Sequence, residues 1–328
     1  MELLFLEPVF KQMIWGGNRL RSVFGYEIPG DNTGECWAIS AHPSGDCRIK
    51  NGPFQGYTLS RLWKENREVF GNAEGEVFPL LTKIIDANED LSIQVHPDDI
   101  YAKEHEGGSL GKMECWYVLD CEKDASIVIG HHAKSRGELK DMIAQSRWKE
   151  LIREIPIKKG DFFQINPGCI HAIKGGTMIL ETQQNSDITY RLYDYDRLSD
   201  GKKRELHIDK SIDVIEVPFT EVMSESGRTD HVLDTAGTSN KASTANTWFE
   251  ELIACPRYTV WKGMVKGEES LRQDKKFMLV SVIEGKGFIG GVPIEMGDHF
   301  ILLNDFGEAK VKGDFTVICS AADATFAQ

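Results

Sequence analysis

Apolar and polar residues alternate along much of this chain, and repeats at helical spacing are confined to a few stretches. Residues 91–96, Leu-Ser-Ile-Gln-Val-His, are the sharpest case. A period of two places Ser92, Gln94 and His96 on one face of a half-buried strand and Leu91, Ile93 and Val95 on the other. Pro97 ends that strand. A glycine-rich loop over 107–111 is expected to lead back into a second strand, 114–119, with Glu114 at its mouth. Residues 78–86 read as a buried strand carrying one lysine, Lys83, and further strands are expected over 125–130, at Ile155, and over 162–165, 178–183 and 188–193. Residues 1–57 read as short strands cut by Gly, Asn and Pro turns. Helical spacing predicts an amphipathic helix over 58–70 and a longer one from about 135 to 153, where Leu139, Met142, Ile143, Trp148, Leu151 and Ile152 recur on one side.

From about 214 to 243 the chain turns to Glu, Ser, Thr, Gly and Asp, the composition of an exposed connection. Beyond it strands resume. Ser281–Gly287 and Met296–Leu302 echo the earlier Lys159–Ile165: strand, tight glycine turn, strand, then Gly-Asp and an apolar strand. The expectation is a mainly β protein of two related barrels. Residues 1–215 form the first, with a helical insertion at about 135–153, residues 216–243 connect, and residues 244–328 form a second barrel lacking the His and Glu set.

Composition narrows the function classes. At 328 residues the chain exceeds one ordinary core, and 41% apolar with 27% charged residues is normal for a globular protein. Its 38 basic and 51 acidic residues give a formal charge of −13, which argues against nucleic acid or an anionic membrane as partner. An anionic substrate would need a local basic pocket against that field. Seven cysteines stand singly with no CxxC pair, as in a reduced, cytoplasmic protein. No apolar run reaches membrane-spanning length, and the first residues lack a basic leader with a cleavage site.

Gln94, His96, Glu114 and His171 offer nitrogen and oxygen donors without thiolate. Taken singly, each is a polar residue satisfied on a barrel wall. Taken together, the Gln-x-His strand and the Pro167-Gly168-x-x-His171 turn point to a metal site that suits zinc and also admits iron, manganese or cobalt. Lys112, two residues before Glu114, shares its face on an extended strand and is either a solvated loop lysine or a cation for an oxyanion or phosphate. Alternation puts Thr189, Arg191 and Tyr193 opposite Leu192; an inward arginine requires a carboxylate or a bound anion. His42, His105, His131, His132, His207, His231 and His299 lack such context, with the His131-His132 pair held open. No GxSxG elbow or phosphate-binding glycine loop occurs, and Cys169 is explained by the turn before His171.

These residues resemble the class I mannose-6-phosphate isomerases (phosphomannose isomerases), in their short bacterial form, within the cupin superfamily. The likeness covers most of the chain: Trp15-Gly16-Gly17, residues 34–40, residues 91–97, Gly111-Lys112-Met113-Glu114, residues 168–172, and Gln184 to Arg191. It implies two cupin (jelly-roll-like) barrels and an enzyme with one Zn2+ per chain that interconverts mannose 6-phosphate and fructose 6-phosphate. The family's metal ligands carry over to His96, Glu114, His171 and Gln94, Gln94 being either a weak ligand or a neighbour of one. The family's active-site arginine and lysine carry over to Arg191 and Lys112. Strand parity adds Ser92 and Lys83 as phosphate contacts; Glu35 is a further substrate-binding candidate, and the catalytic base is left open among a lysine of depressed pKa, a carboxylate such as Glu35 and a metal-bound water. In longer members a lysine follows His-Pro-Asp, where this chain has Asp99. The other functions compatible with the ligand set are a cupin metal-dependent oxygenase and a non-catalytic sugar-phosphate sensor. A small phosphorylated sugar as sole partner, with a monomer or weak homo-oligomer, completes the expectation.

Overall fold

The computed structural model describes residues 2–199, 201–220 and 246–322. Most of the expected connection, with His231, lies outside the described residues, as do residues 323–328. The protein is mainly β, built as two barrels with a few short helices.

Two sheets face one another in the first barrel. The six-stranded sheet runs in the order Phe162–Ile165, Glu114–Cys121, Thr177–Gln184, Leu80–Ala87, Val9–Gly17, Thr33–Ile39. The five-stranded sheet runs Ile152–Pro156, Ser126–His131, His171–Ile173, Ile93–Val95, Tyr190–Tyr193. Alternation sends Trp15, Ile85, Trp116, Val118 and Ile179 from the first sheet, and Ile127, Ile129 and Ile173 from the second, into a shared core. Helices Arg136–Ala144 and Trp148–Leu151 cover the outer face of the five-stranded sheet through Leu139, Met142 and Leu151. The single helix expected over 135–153 is thus two. Ser146 takes a left-handed backbone (φ 54°) between them, and Ile152 already belongs to a strand.

The second barrel packs on the outer face of the six-stranded sheet. Leu4, Cys36, Ile84, Cys115, Tyr117 and Leu180 meet Tyr258, Val260, Leu279, Ile301 and Ile318 in one buried cluster. Its sheet contains Phe249–Ala254, Tyr258–Arg272, Glu308–Ala322, Met278–Ile289 and His299–Leu302, and then the first strand of the chain, Leu3–Glu7. Leu3, Leu4 and Phe5 pair with Leu302, Ile301 and Phe300. A boundary at 215 therefore does not separate the two sheets, because the N-terminal strand closes the C-terminal one.

Two local expectations change, and one helix is added to them. The helix, Asp99–His105, follows Pro97, started by Asp98 accepting from the Tyr101 amide, and the glycine-rich stretch 107–111 after it is loop, as expected. The expected strand at 91–96 is regular only over Ile93–Val95. The glycine turn expected at Gly285–Gly287 is absent: both lie inside Met278–Ile289, and the turn falls at Gly290-Gly291. Gly285 is needed for another reason. It has φ +74°, and a Cβ there would sit 2.1 Å from the Asp314 carbonyl oxygen across the ladder.

Candidate metal centre and active site

The site begins as two cross-strand rows. On the six-stranded sheet, where Thr33–Ile39 also pairs directly with Leu80–Ala87, Trp116, Glu181, Lys83 and Trp37 follow one another in register over four paired strands. On the five-stranded sheet, His171, Gln94 and Arg191 do the same over three. Period-two geometry turns both rows toward the barrel interior, and between them lies a cleft of about 330 Å³. Glu35, Lys83, Ser92, Gln94, Lys112 and Arg191 line it, together with Trp15, Trp37, Glu181, Asp187, Thr189 and Arg204.

His96, Glu114 and His171 are fully buried behind the lining and join the cleft through Gln94 and Lys112, which line it and touch them, so the triad is the floor beneath these two. The Nε2 atoms of His96 and His171 are 3.1 Å apart, and Glu114 places Oε2 3.3 Å from the first and Oε1 3.5 Å from the second. Bonds of about 2.0–2.2 Å to one tetrahedral centre put neighbouring donors roughly 3.3–3.6 Å apart, so the three groups fit around a single small cation. His171 is aimed by its Nδ1, which lies 2.9 Å from the Cys169 carbonyl, so Nε2 is the nitrogen left to face the floor. Both Glu114 oxygens lack a well-directed hydrogen-bond donor despite full burial, which is costly without a cation. Gln94 brings its side-chain amide 3.3 Å from His171 Nε2, beside the triad.

The electrostatics agree with a cation-binding floor. Burial, reinforced by the Lys112 ammonium, lowers His96 to about 3 and keeps it neutral, and burial lowers His171 as well. Burial works to raise the Glu114 carboxyl, but Lys112 and the two imidazoles outweigh it and hold it well below the usual range. Neutral imidazoles and an ionised carboxylate are the protonation states of metal ligands. Lys112 Nζ stands 2.9 Å from Glu114 Oε2 and 3.0 Å from His96 Nε2.

Above the floor the cleft is rich in charge. Lys83 is buried, 3.4 Å from Glu181 Oε1; burial would lower its pKa, but Glu35, Glu181 and Glu114 together raise it. Glu181 also accepts from Trp116 Nε1 at 3.0 Å, and Glu35 from Trp37 Nε1 at 2.6 Å. Burial and then the charge of Glu114 raise the Glu181 carboxyl. Arg191 donates to the Glu205 carbonyl, yet among the described residues no carboxylate lies within ion-pair distance of it. Its Nε is buried and unmatched, and burial, with Arg204 alongside, lowers its pKa. Arg204 is held by two contacts to Asp194. The cleft thus presents the Arg191 guanidinium ready for an anion in a protein of net negative charge.

All nine residues singled out in the sequence come together here. Tyr193 does not: a bulge between Arg191 and Tyr193 breaks the alternation, and Tyr193 instead stacks on Trp148 at 4.6 Å. His131 and His299 lie elsewhere, hydrogen-bonded to Glu216 and to Ser281 and Tyr26. Glu181, Arg204 and Asp187 line the cleft without having been singled out. A carboxylate directly after the apolar Met178-Ile179-Leu180 was the available signal for Glu181, weaker than the apolar strand that drew attention to Lys83.

Residues 3–123 match the family described as "Phosphomannose isomerase type I, catalytic domain", and residues 250–322 match "Mannose-6-phosphate isomerase, cupin domain". The mannose-6-phosphate isomerase ManA of Bacillus subtilis is 50% identical over 317 residues, 95% of this chain and 96% of that protein. The chain belongs to the type I phosphomannose isomerases. A mannose-6-phosphate isomerase of Streptococcus mutans is 47% identical over 97% of this chain and 98% of its own length. The crystal structure of the mannose 6-phosphate isomerase from Bacillus subtilis superposes with a TM-score of 0.89 at 46% identity, covering 98% of this chain and all of that one. Members of this family are aldose–ketose isomerases, and in this member the buried His-Glu-His cluster is where a metal ion can be held. No helix among the described residues is long and apolar enough to cross a membrane.

Proposed function

We propose that this protein is a mannose-6-phosphate isomerase that holds one zinc ion on His96, Glu114 and His171, with Gln94 beside it, and acts in the cytoplasm. The observation that carries the reading is the meeting of a buried His-Glu-His set with a cleft that presents Arg191, a guanidinium with no carboxylate partner among the described residues. The nitrogen and oxygen donors suit zinc, and its Lewis acidity would polarise sugar oxygens. Seven cysteines with no disulfide among the described residues, most of them buried, fit a reducing compartment.

Conversion of mannose 6-phosphate to fructose 6-phosphate moves a proton from C2 to C1 and another from O2 to O1 through a cis-enediol, with no net change in oxidation state. The residues must carry those protons and stabilise charge on oxygen. Lys112, at the junction of floor and cleft, is the group we assign to proton transfer; a well-placed acid–base group contributes on the order of 10²–10⁴ in rate. Arg191 stabilises the anionic sugar as charge develops, since its forked guanidinium accepts oxygen anions and its Nε has no internal partner. Ser92 and Lys83 sit on the cleft wall as phosphate contacts, and Glu35, fixed by Trp37, orients sugar hydroxyls. Trp15 and Trp37 supply apolar wall. The site is complete within one chain, so the proposal requires at most a weak homo-oligomer.

The test is to load metal-stripped protein with zinc, cobalt, manganese or iron and follow mannose 6-phosphate conversion by a coupled fructose 6-phosphate assay. Metal-dependent formation of fructose 6-phosphate is expected, with Arg191→Ala at least about 10²-fold slower. No product with any of these metals would overturn the reading.

A further inference from the structure

Lys112 sits on a backbone that is braced one amide at a time. The Gly111 N–H donates to Asp99 Oδ1 at 2.8 Å, the Lys112 N–H to the Pro97 carbonyl at 3.1 Å, and the Met113 N–H to Gln184 Oε1 at 2.9 Å. Gln184 is itself fixed, because its Nε2 donates to the same Asp99 Oδ1 at 2.9 Å. Asp99 Oδ2 in turn contacts Arg257. Arg257 stands in the turn joining Phe249–Ala254 to Tyr258–Arg272, so this last link crosses from the second barrel. Gly111 packs so closely on the start of helix Asp99–His105 that a Cβ would lie 2.5 Å from the Asp98 carbonyl carbon and the Asp99 nitrogen. The two metal donors nearest Lys112 are positioned separately. Glu114 is in register with Ile165 and Gln183, and the Gly168 amide donates to the His96 carbonyl at 2.9 Å.

We propose that Asp99 is a positioning residue for the isomerisation: through Gly111 and Gln184 it fixes the backbone of Lys112, and through Arg257 it makes that placement depend on the second barrel. The proposal rests on the assignment of Lys112 to proton transfer. One carboxylate oxygen gathers the amide of Gly111 and the side chain that holds Met113, and the other is anchored by a guanidinium across the interface. Loss of this carboxylate frees the peptide bearing the lysine while leaving the ladder that carries Glu114 intact. A misplacement of about 1 Å at a reacting group costs on the order of 10²-fold in rate, so the effect falls on kcat rather than on metal or substrate affinity.

Full-length, metal-loaded Asp99→Ala, Asp99→Asn and Arg257→Gln proteins test this. Asp99→Ala should lose about 10- to 100-fold in kcat, with KM and metal per chain within about twofold of wild type and faster amide hydrogen exchange across 107–113. Asp99→Asn keeps an oxygen for Gly111 and Gln184 and should recover most of that loss; Arg257→Gln should fall between the two. An unchanged kcat in Asp99→Ala, or a loss that tracks lost metal, overturns the proposal. Should Asp99→Ala not fold, Arg257→Gln decides by the same two readouts: a lower kcat at unchanged KM upholds the brace, and wild-type kcat overturns it. If wild type itself converts no mannose 6-phosphate, the functional assignment falls, and exchange at 107–113 still decides the brace: loss of protection in the variants upholds it, unchanged protection overturns it.

Discussion

At the scale of single residues, the site is defined by groups that burial leaves incomplete. Glu114 has two buried oxygens with no directed donor, and His96 and His171 turn their Nε2 atoms toward each other at 3.1 Å. Removing one imidazole leaves too few donors: His171→Ala should lower metal affinity by about 10²-fold or more, read as metal per chain after dialysis against a chelator. Lys112→Ala should separate chemistry from metal binding. We expect kcat to fall by about 10²–10⁴ with metal content unchanged, measured by steady-state kinetics and metal analysis of the same sample. Equal loss of metal and activity in that variant would make Lys112 a support for the ligands rather than a proton carrier. The triad was legible in the sequence because residue type and strand parity together restrict what Gln94 and His96 can face. Glu181 was not, since nothing local tells a buried carboxylate that pairs with Lys83 from one at a strand end.

At the scale of elements, the ladders do the aligning. Glu181 opposite Lys83, and Arg191 opposite Gln94, are consequences of antiparallel register, and a one-residue slip would send either row outward. The sequence pattern located these strands but misjudged their ends: Ser146 splits the helical insertion, and a bulge takes Tyr193 off the site face. Glycine was the most misleading local signal. Gly285 looked like a turn, but it sits within a strand with positive φ, its α-carbon facing the Asp314 carbonyl. Gly285→Ala should therefore destabilise the second barrel by about 2–3 kcal/mol, because strain in φ adds to the backbone clash. Chemical denaturation of the variant against wild type checks this, and a change below about 0.5 kcal/mol would refute the steric account.

At the scale of the whole molecule, the two barrels are one structure: they share a buried cluster, the Leu3–Glu7 strand passes from one to the other, and Tyr26 reaches His299 at 2.8 Å across the interface. His299 also bonds Ser281 at 2.9 Å, and burial, with a smaller push from Lys50, lowers it from 6.5 to about 3. Between those values the unfolded chain binds a proton that the folded chain refuses. The contribution of His299 to stability is therefore complete above 6.5 and is lost as pH falls, at about 1.4 kcal/mol per pH unit. Denaturation at pH 7 and pH 5 should show a decline in wild type that is smaller by about 2 kcal/mol in His299→Gln, and equal slopes would contradict it. By itself the sequence determined the β class and the two-barrel plan and picked out His96, Glu114 and His171, which the fold gathers into one buried cluster, because alternation and donor chemistry are properties of short stretches. Only the tertiary structure decided that Leu3–Glu7 belongs to the far sheet, that Glu181 neutralises Lys83, and that Asp99 joins Arg257 to the Lys112 backbone. The contacts Glu181–Lys83, Asp99–Arg257 and Leu3–Leu302 span 98, 158 and 299 positions, and no local pattern encodes which distant backbone a side chain will meet.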